Sequence, residues 1–140
     1  MSWPSLPAPP STGDSLLVRT NFTDDSAWTT THAAVLASYG EDTVTGLTLV
    51  DDKAFDALAP AELVQLAGDR TYAFLADTLA LTAPEHPILA VDTRGGEDPP
   101  PVFRLAAAAT AEVEVNLYLA NLDFTDFADT LGGDDLYRGI

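Results

Sequence analysis

Short apolar runs separated by helix-type and turn-type segments constrain the fold of this chain more than any other feature. Each run has the length of a strand and is too short for a typical buried helix. The runs are 15–19 (SLLVR), 44–50 (VTGLTLV), 71–76 (TYAFLA), 87–91 (PILAV) and 102–106 (VFRLA). We therefore predict an α/β fold: one mixed sheet of about five strands, covered by helices, in the order β-α-β-α-β-β-β-α-α. An α+β arrangement is the alternative.

The link between the third and fourth runs decides how the strands are directed. Parallel neighbours need a crossover of about a dozen residues or more, and the segment between Asp77 and Pro87 is shorter than that. A purely parallel, doubly wound sheet is therefore disfavoured. The Gly- and Pro-rich loop 93–101 (TRGGEDPPP) favours an antiparallel hairpin between the fourth and fifth runs.

Cap residues and apolar spacing predict the helices. The first covers 26–38, follows the cap residues 20–25 and ends at Gly40. Its apolar stripe is Trp28, Ala33, Val35 and Leu36. The second starts at Pro60 and stops at Gly68, the third starts at Thr110, and the fourth is capped by Asp123 and ended by Gly132 and Gly133.

The length of 140 residues fits one domain. Apolar residues make up 46% of the chain and charged residues 20%, which is enough apolar material for a packed core. Residues 1–13 contain four prolines and are predicted to form an extended arm that lies loosely on the surface. We place the single α/β domain at 14–140.

The net charge of −16 narrows the choice of partners. Nucleic-acid binding needs clustered Lys and Arg, but Lys53 is the only lysine and the five arginines are scattered. We expect no nucleic-acid partner and no attachment to an anionic membrane. A basic protein partner and divalent cations stay open, and the sequence does not indicate an oligomeric state.

Cysteine is absent, which removes disulfides, thiolate metal sites and cysteine nucleophiles. No apolar run approaches the ~18 to 20 residues that span a bilayer. The N-terminal segment also lacks the basic and apolar regions of a secretory signal. We therefore expect a cytoplasmic protein.

Aspartates follow the predicted strands: Asp51 and Asp52 after the second, Asp77 after the third and Asp92 after the fourth. In a parallel sheet these side chains converge at the carboxyl edge, where their oxygens could bind Mg²⁺ or Ca²⁺. The short link before Pro87 sends at least one of them to the opposite edge. The competing explanation is that they cap helices and solvate loops. We predict no cofactor and keep Mg²⁺ or Ca²⁺ at Asp51, Asp52, Asp77 and Asp92 as the alternative.

Two further side chains are weak binding candidates. Arg19 directly follows an apolar strand and precedes several aspartates, so we expect an ion-pair partner, with anion binding as the other interpretation. His86 stands between Glu85 and Pro87, where the flanking prolines of the turn fix its direction. Neither histidine accompanies a G-x-S-x-G nucleophile elbow.

The C-terminal acids form the remaining binding candidate: Asp123, Asp126, Asp129, Asp134 and Asp135. Opposite charge accelerates encounter and selects partners. We therefore predict an immunity-like or regulatory protein–protein interaction module that engages a basic partner surface there. The alternative is a small divalent-metal-dependent enzyme or accessory protein with its site at the aspartate-bearing sheet edge.

Three segments carry a family resemblance: LLVRTNFTDDSAW at 16–28, PEHPILAVD at 84–92 and NLYLANLDFTDFA at 116–128, with LYRG at 136–139. They resemble the DUF6924 family, small uncharacterised proteins of Streptomyces and related actinobacteria. The resemblance implies a bacterial, cytoplasmic, single-domain protein of unknown function. It brings no catalytic residues.

Overall fold

A computed structural model of the protein describes residue 6 and residues 15–40, 47–68, 70–94, 99–118, 124–128 and 135–139. The strands in these segments are β1 (Ser15–Arg19), β2 (Leu47–Val50), β3 (Tyr72–Ala76), β4 (Ile88–Asp92), β5 (Val102–Leu105) and β6 (Leu136–Tyr137). The helices are α1 (Asp25–Ala37), α2 (Pro60–Leu66), α3 (Thr78–Thr82), α4 (Thr110–Tyr118) and α5 (Phe124–Ala128). Two 3₁₀-helices, Lys53–Phe55 and Ala107–Ala109, follow β2 and β5. The predicted α/β class is confirmed.

The strands form one mixed sheet in the order β2-β1-β3-β4-β5-β6. β1 pairs in parallel with β2 and β3, because α1 and α2 each return the chain to the same end of the sheet. Only the short α3 links β3 to β4, and these two strands are antiparallel. β4 and β5 form the expected antiparallel hairpin, and β6 runs parallel to β5. The prediction that the sheet is not purely parallel is confirmed.

The predicted order lacks two elements that the structure contains, α3 and β6. A five-residue helix is too short to show a helical period. α3 forms because the Asp77 carboxylate accepts a hydrogen bond from the backbone N–H of Ala80 at 3.2 Å. The two residues of β6 pair with Arg104 and Leu105. The described part of the chain therefore has six strands rather than about five.

Each face of the sheet carries its own apolar cluster. The first face packs beneath α1, α3, α4 and α5, and its largest members are aromatic: Trp28, Tyr39, Tyr72, Phe74, Phe103, Phe124, Phe127 and Tyr137. The second face packs beneath α2 and the 3₁₀-helix Lys53–Phe55, with Leu16, Val18, Phe55, Leu63 and Leu75 among its members. The sheet is therefore the middle of three layers, and the side chains of each face pack against the helices that cover that face.

The buried face of α1 differs from the predicted stripe. The helix buries Trp28, Thr31 and Val35, whereas Ala33 and Leu36 are exposed. Thr31 can be buried because its hydroxyl donates a hydrogen bond to the carbonyl four residues earlier, at 2.8 Å. The predicted stripe is therefore right at Trp28 and Val35 and wrong at Ala33 and Leu36, because an apolar count treats threonine as polar and passes over Thr31.

Leu6 is the described residue of the predicted N-terminal arm. Its side chain is partly buried and packs against the cluster on the second face of the sheet. The arm therefore contacts the domain at this residue, whereas the sequence predicted a loose surface segment. None of the described helices has the length and apolar character needed to cross a bilayer.

Candidate interaction surface

The carboxyl ends of β1, β2 and β3 meet at one end of the sheet, which we call the carboxyl edge. Val18 pairs with Val50, and Arg19 pairs with Ala76, so the three strands end at the same level. The antiparallel β4 begins at this edge, and β5 and β6 end there. Functional groups that follow or precede these strands are thus brought together by the topology.

The structure divides the strand-end aspartates between two edges. Asp51, Asp52 and Asp77 follow β2 and β3 at the carboxyl edge. Asp92 ends the antiparallel β4, opposite Tyr72 at the start of β3, and lies at the other edge. This is the separation that the short link before Pro87 predicted.

Asp92 is buried and bound by Arg94. The Arg94 guanidinium lies 2.6 Å from Asp92 Oδ2, and the Arg94 backbone N–H donates to Oδ1 at 3.0 Å. Burial alone would raise the pKa of Asp92, but the hydrogen bonds and charge of Arg94 outweigh it and lower that pKa below its usual range. This carboxylate is satisfied without a metal ion.

Two of the strand-end aspartates at the carboxyl edge, Asp52 and Asp77, cap short helices. Asp52 accepts from the backbone N–H of Ala54 at 3.0 Å, and Asp77 caps α3. Asp24 caps α1 in the same way, through the N–H of Ala27 at 3.0 Å. Within the described segments, no three side chains of the His, Cys, Asp or Glu type come together as metal ligands.

Arg19 is the most constrained side chain of the carboxyl edge. Its guanidinium bonds Asp25 at 2.7 Å, Asp51 at 3.2 Å and the carbonyl of Asn21 at 2.8 Å. It also lies over the ring of Phe22, 4.4 Å from the ring centre. The guanidinium is 4% exposed, whereas the side chains of Asp25 and Asp51 are 89% and 50% exposed. The expected ion pair is present, with its base turned inward and its two acids turned to solvent.

We expect Arg19→Met to lower the free energy of unfolding by about 2 to 3 kcal/mol. The loss comes from the hydrogen bond to the carbonyl of Asn21 and from the contact with Phe22. The two ion pairs add little to it, because the exposed acids are rehydrated when the guanidinium is removed. Urea denaturation measures it. Arg138→Met is the control, since Arg138 pairs with Glu85 at 2.9 Å but is half-exposed. Its expected cost is below about 1 kcal/mol, and equal costs for both variants would contradict the prediction.

His86 lies in a backbone turn at the carboxyl edge, immediately before β4. Its Nδ1 is 3.0 Å from the carbonyl oxygen of Ala80 and 3.0 Å from the hydroxyl of Thr31. A carbonyl can only accept, so Nδ1 carries a proton and donates it to Ala80. The fixed direction predicted for this ring is present, but it comes from these two partners as well as from the flanking prolines.

Two more ion pairs extend the carboxyl edge towards β6. Arg104 binds both oxygens of Asp77, at 2.9 and 2.7 Å, and donates to the carbonyl of Pro87 at 2.9 Å. Arg138 binds Glu85 through Nε and Nη2. Sequence reasoning missed both pairs because their partners are 27 and 53 residues apart.

The C-terminal acids are described only in part. Asp126 on α5 and Asp135 before β6 are exposed, and Asp135 has a positive φ of 58°. Asp123, Asp129 and Asp134 lie outside the described residues. Asp135 lies beside Arg138 in the lining of a groove of about 480 Å³ that opens on the carboxyl edge.

The opposite edge holds a buried polar network that sequence reasoning did not single out. The carboxyl group of Glu114, 3% exposed, accepts from Tyr39 at 3.1 Å and from Ser15 at 3.1 Å. Ser15 is in turn 2.6 Å from the hydroxyl of Tyr72. The one sign of this network in the sequence is that an acid, Glu114, stands next to the apolar Val113 on a predicted helix. The partners of Glu114 lie in three distant segments, so the sequence does not indicate them.

The family comparison agrees with the resemblance seen in the sequence segments. A family model described as "Domain of unknown function (DUF6924)" matches residues 14–140, which is most of the chain. A comparison with curated proteins found no match. This chain therefore belongs to the DUF6924 family.

Proposed function

We propose that this protein is an acidic interaction domain that acts in the cytoplasm and binds a basic surface of a protein partner, as immunity and regulatory proteins do. The carboxyl edge is its binding surface. The observation that carries the proposal is the arrangement at Arg19, where a buried guanidinium holds two exposed carboxylates in place. Carboxylates that are fixed before binding lose less side-chain entropy when a partner's Lys or Arg reaches them.

The remaining charges of the described residues support the same function. Arg94, Arg104 and Arg138 are each paired with an acid of this chain. Their positive charge is neutralised locally, so the total of −16 is not offset by a basic patch built from these side chains. A strong field of one sign accelerates the encounter with an oppositely charged protein and disfavours acidic competitors.

The metal-dependent alternative has less support from the geometry. Asp51 and Asp77 already accept hydrogen bonds from Arg19 and Arg104, and Asp92 lies at the opposite edge. Both oxygens of Asp77 are bound by Arg104, so a cation there would have to displace an arginine that also holds the carbonyl of Pro87. Asp25 and Asp51 each bond Arg19 through one oxygen, and a basic side chain of a partner can share these exposed carboxylates with Arg19.

Partner capture with charge-matched variants tests the proposal. The tagged protein is incubated with lysate of its source organism at ~0.01 M and at ~1 M salt, where the Debye length falls from ~30 Å to ~3 Å. We expect a basic protein to be retained at low salt and released at high salt. Asp52→Asn with Asp56→Asn, both exposed and next to β2, should reduce the retained amount by at least about fivefold.

Asp126→Asn with Asp129→Asn is the matched control, because it removes the same two negative charges from the C-terminal segment. We expect this control to retain the partner almost as well as the unchanged protein. If the control loses the partner and the carboxyl-edge variant keeps it, the binding surface is the C-terminal one. If no basic protein is retained at low salt, the proposed function is wrong.

A further inference from the structure

A groove of about 480 Å³ opens on the carboxyl edge between α3, the turn 83–87 and β6. Its volume is within the ~300 to 1,000 Å³ of typical small-ligand sites. Leu79, Pro84 and Leu136 supply its apolar walls. Leu79, on α3, is 46% exposed and leaves apolar surface open to a ligand.

The charges around the groove are balanced except at one residue. Arg104 is bound by Asp77, and Arg138 is bound by Glu85. Asp135 also lines the groove, is exposed, and has no ion-pair partner among the described residues. The uncompensated charge of the groove is thus a carboxylate, and it favours a cationic group over an anionic one.

Backbone of positive φ occurs at two residues that line the groove, Glu85 and Asp135, and at His86, which follows Glu85 in the turn. Glu85 and His86 have φ values of +67° and +47°, and Asp135 on the other side has +58°. Residues other than glycine adopt this region at a cost. The turn is kept there by the hydrogen bond from the N–H of Ala107 to the carbonyl of Glu85 at 3.0 Å and by the ring of His86. Strained backbone that is held by its surroundings in this way is concentrated at binding sites, where it fixes the shape of the site before the ligand binds.

We propose that this groove receives a peptide segment of the basic partner in which a lysine or arginine stands next to an apolar residue. The apolar side chain covers Leu79 and Leu136, and the cation reaches Asp135. Long basic side chains suit such a site because their aliphatic stems pack on apolar surface while the charged end stays at the rim. The inference rests on the proposed function and names the chemistry that the partner presents at one end of the carboxyl edge.

Titration with blocked dipeptides, followed by amide chemical shifts of the labelled protein, tests the site directly. The probe is N-acetyl-leucyl-arginine amide, and its control is N-acetyl-leucyl-citrulline amide, which has nearly the same shape without the charge. We expect the arginine probe to shift the amides of Leu79, Leu136 and Arg138, and to bind about fivefold more tightly than the citrulline probe.

Two variants separate the charge from the apolar wall. Asp135→Asn removes the unpaired charge while asparagine tolerates the positive φ, and it should make the two probes bind equally. Leu79→Ser should weaken both probes by about threefold or more. Leu36→Ser is its control, since Leu36 is 36% exposed on α1 and does not line the groove. It should leave the affinity unchanged.

Equal binding of both probes to the unchanged protein, or shifts that map outside the groove, would overturn the inference. So would tighter binding of N-acetyl-leucyl-glutamate amide. These outcomes are independent of partner capture. If capture still depends on Asp52 and Asp56 while the dipeptides fail, the proposed function stands and the groove is not its peptide site. If the dipeptides bind and capture fails, the groove binds cationic peptides without the proposed function.

Discussion

Replacing Glu114 by alanine is expected to lower the free energy of unfolding by about 3 to 5 kcal/mol, the largest loss we predict for a single polar side chain. The carboxyl group accepts hydrogen bonds from Ser15 and Tyr39, and all these side chains are buried. Its removal takes the carboxylate partner from the Tyr39 hydroxyl and leaves Ser15 with Tyr72 as its remaining partner, and each buried group that is left unsatisfied costs about 1 to 3 kcal/mol. Urea denaturation at neutral pH measures the loss.

The same experiment includes two comparisons that keep most of the packing. Glu114→Gln retains the shape and one carbonyl oxygen, so we expect it to lose less than half as much as the alanine variant. Val115→Ala lies next to it on α4, at a side chain that is 39% exposed, and should change stability by less than about 0.5 kcal/mol. A loss below about 1 kcal/mol in Glu114→Ala would show that the network does not stabilise the fold.

Alkaline pH is expected to destabilise the protein steeply, because two buried tyrosines resist ionisation. Burial, reinforced by the charge of Glu114 and a hydrogen bond to it, raises the pKa of Tyr39 well above its ordinary value near 10. Burial and the hydrogen bond to Glu112 raise the pKa of Tyr137 in the same way. In the unfolded chain both hydroxyls ionise near pH 10, whereas in the folded chain they stay neutral.

Because their folded-state pKa values lie above the unfolded ones, the contribution of these two tyrosines to stability is fully present below about pH 10 and is lost as the pH rises beyond it. Each tyrosine contributes a slope of about 1.4 kcal/mol per pH unit until its folded-state pKa is reached. Urea melts between about pH 9 and pH 11.5 measure the combined slope. Tyr39→Phe should remove about half of it, although the variant starts from a lower stability because a hydrogen bond to Glu114 is missing. Unchanged stability across this pH range in the original protein would refute the prediction.

Elements with a strong local pattern could be predicted from the sequence. β1 was predicted at 15–19, where the structure has it. A mainly apolar run of five residues has the length of a buried strand and is too short for a typical helix. α2 starts at Pro60 as predicted, because proline at the first helical position replaces an N–H that has no helical partner. α3 and β6 were missed because their formation depends on Asp77 and on the edge of β5 rather than on their own residues.

The sequence predicted the binding surface at the C-terminal acids and treated the strand-end aspartates as an alternative metal site. It therefore did not single out the carboxyl edge as an interaction surface. Strand ends located Asp51 and Asp77 at one edge, since three of the strands are parallel. The ion pair of Asp77 with Arg104 and the network of Glu114 could not be found in this way, because each joins segments that are distant in the chain. Pairing between distant side chains has no local pattern, and it is set by the fold as a whole.

The buried network and the carboxyl edge lie at opposite ends of the strands. Ser15 and Tyr72 begin β1 and β3, whereas Arg19 is the last residue of β1 and Asp77 directly follows β3. Substitutions among the exposed acids therefore leave the hydrogen bonds of Glu114 untouched. This separation would let the proposed binding surface change among relatives without loss of foldability. We therefore expect relatives to keep the network and to vary in the acids at the carboxyl edge.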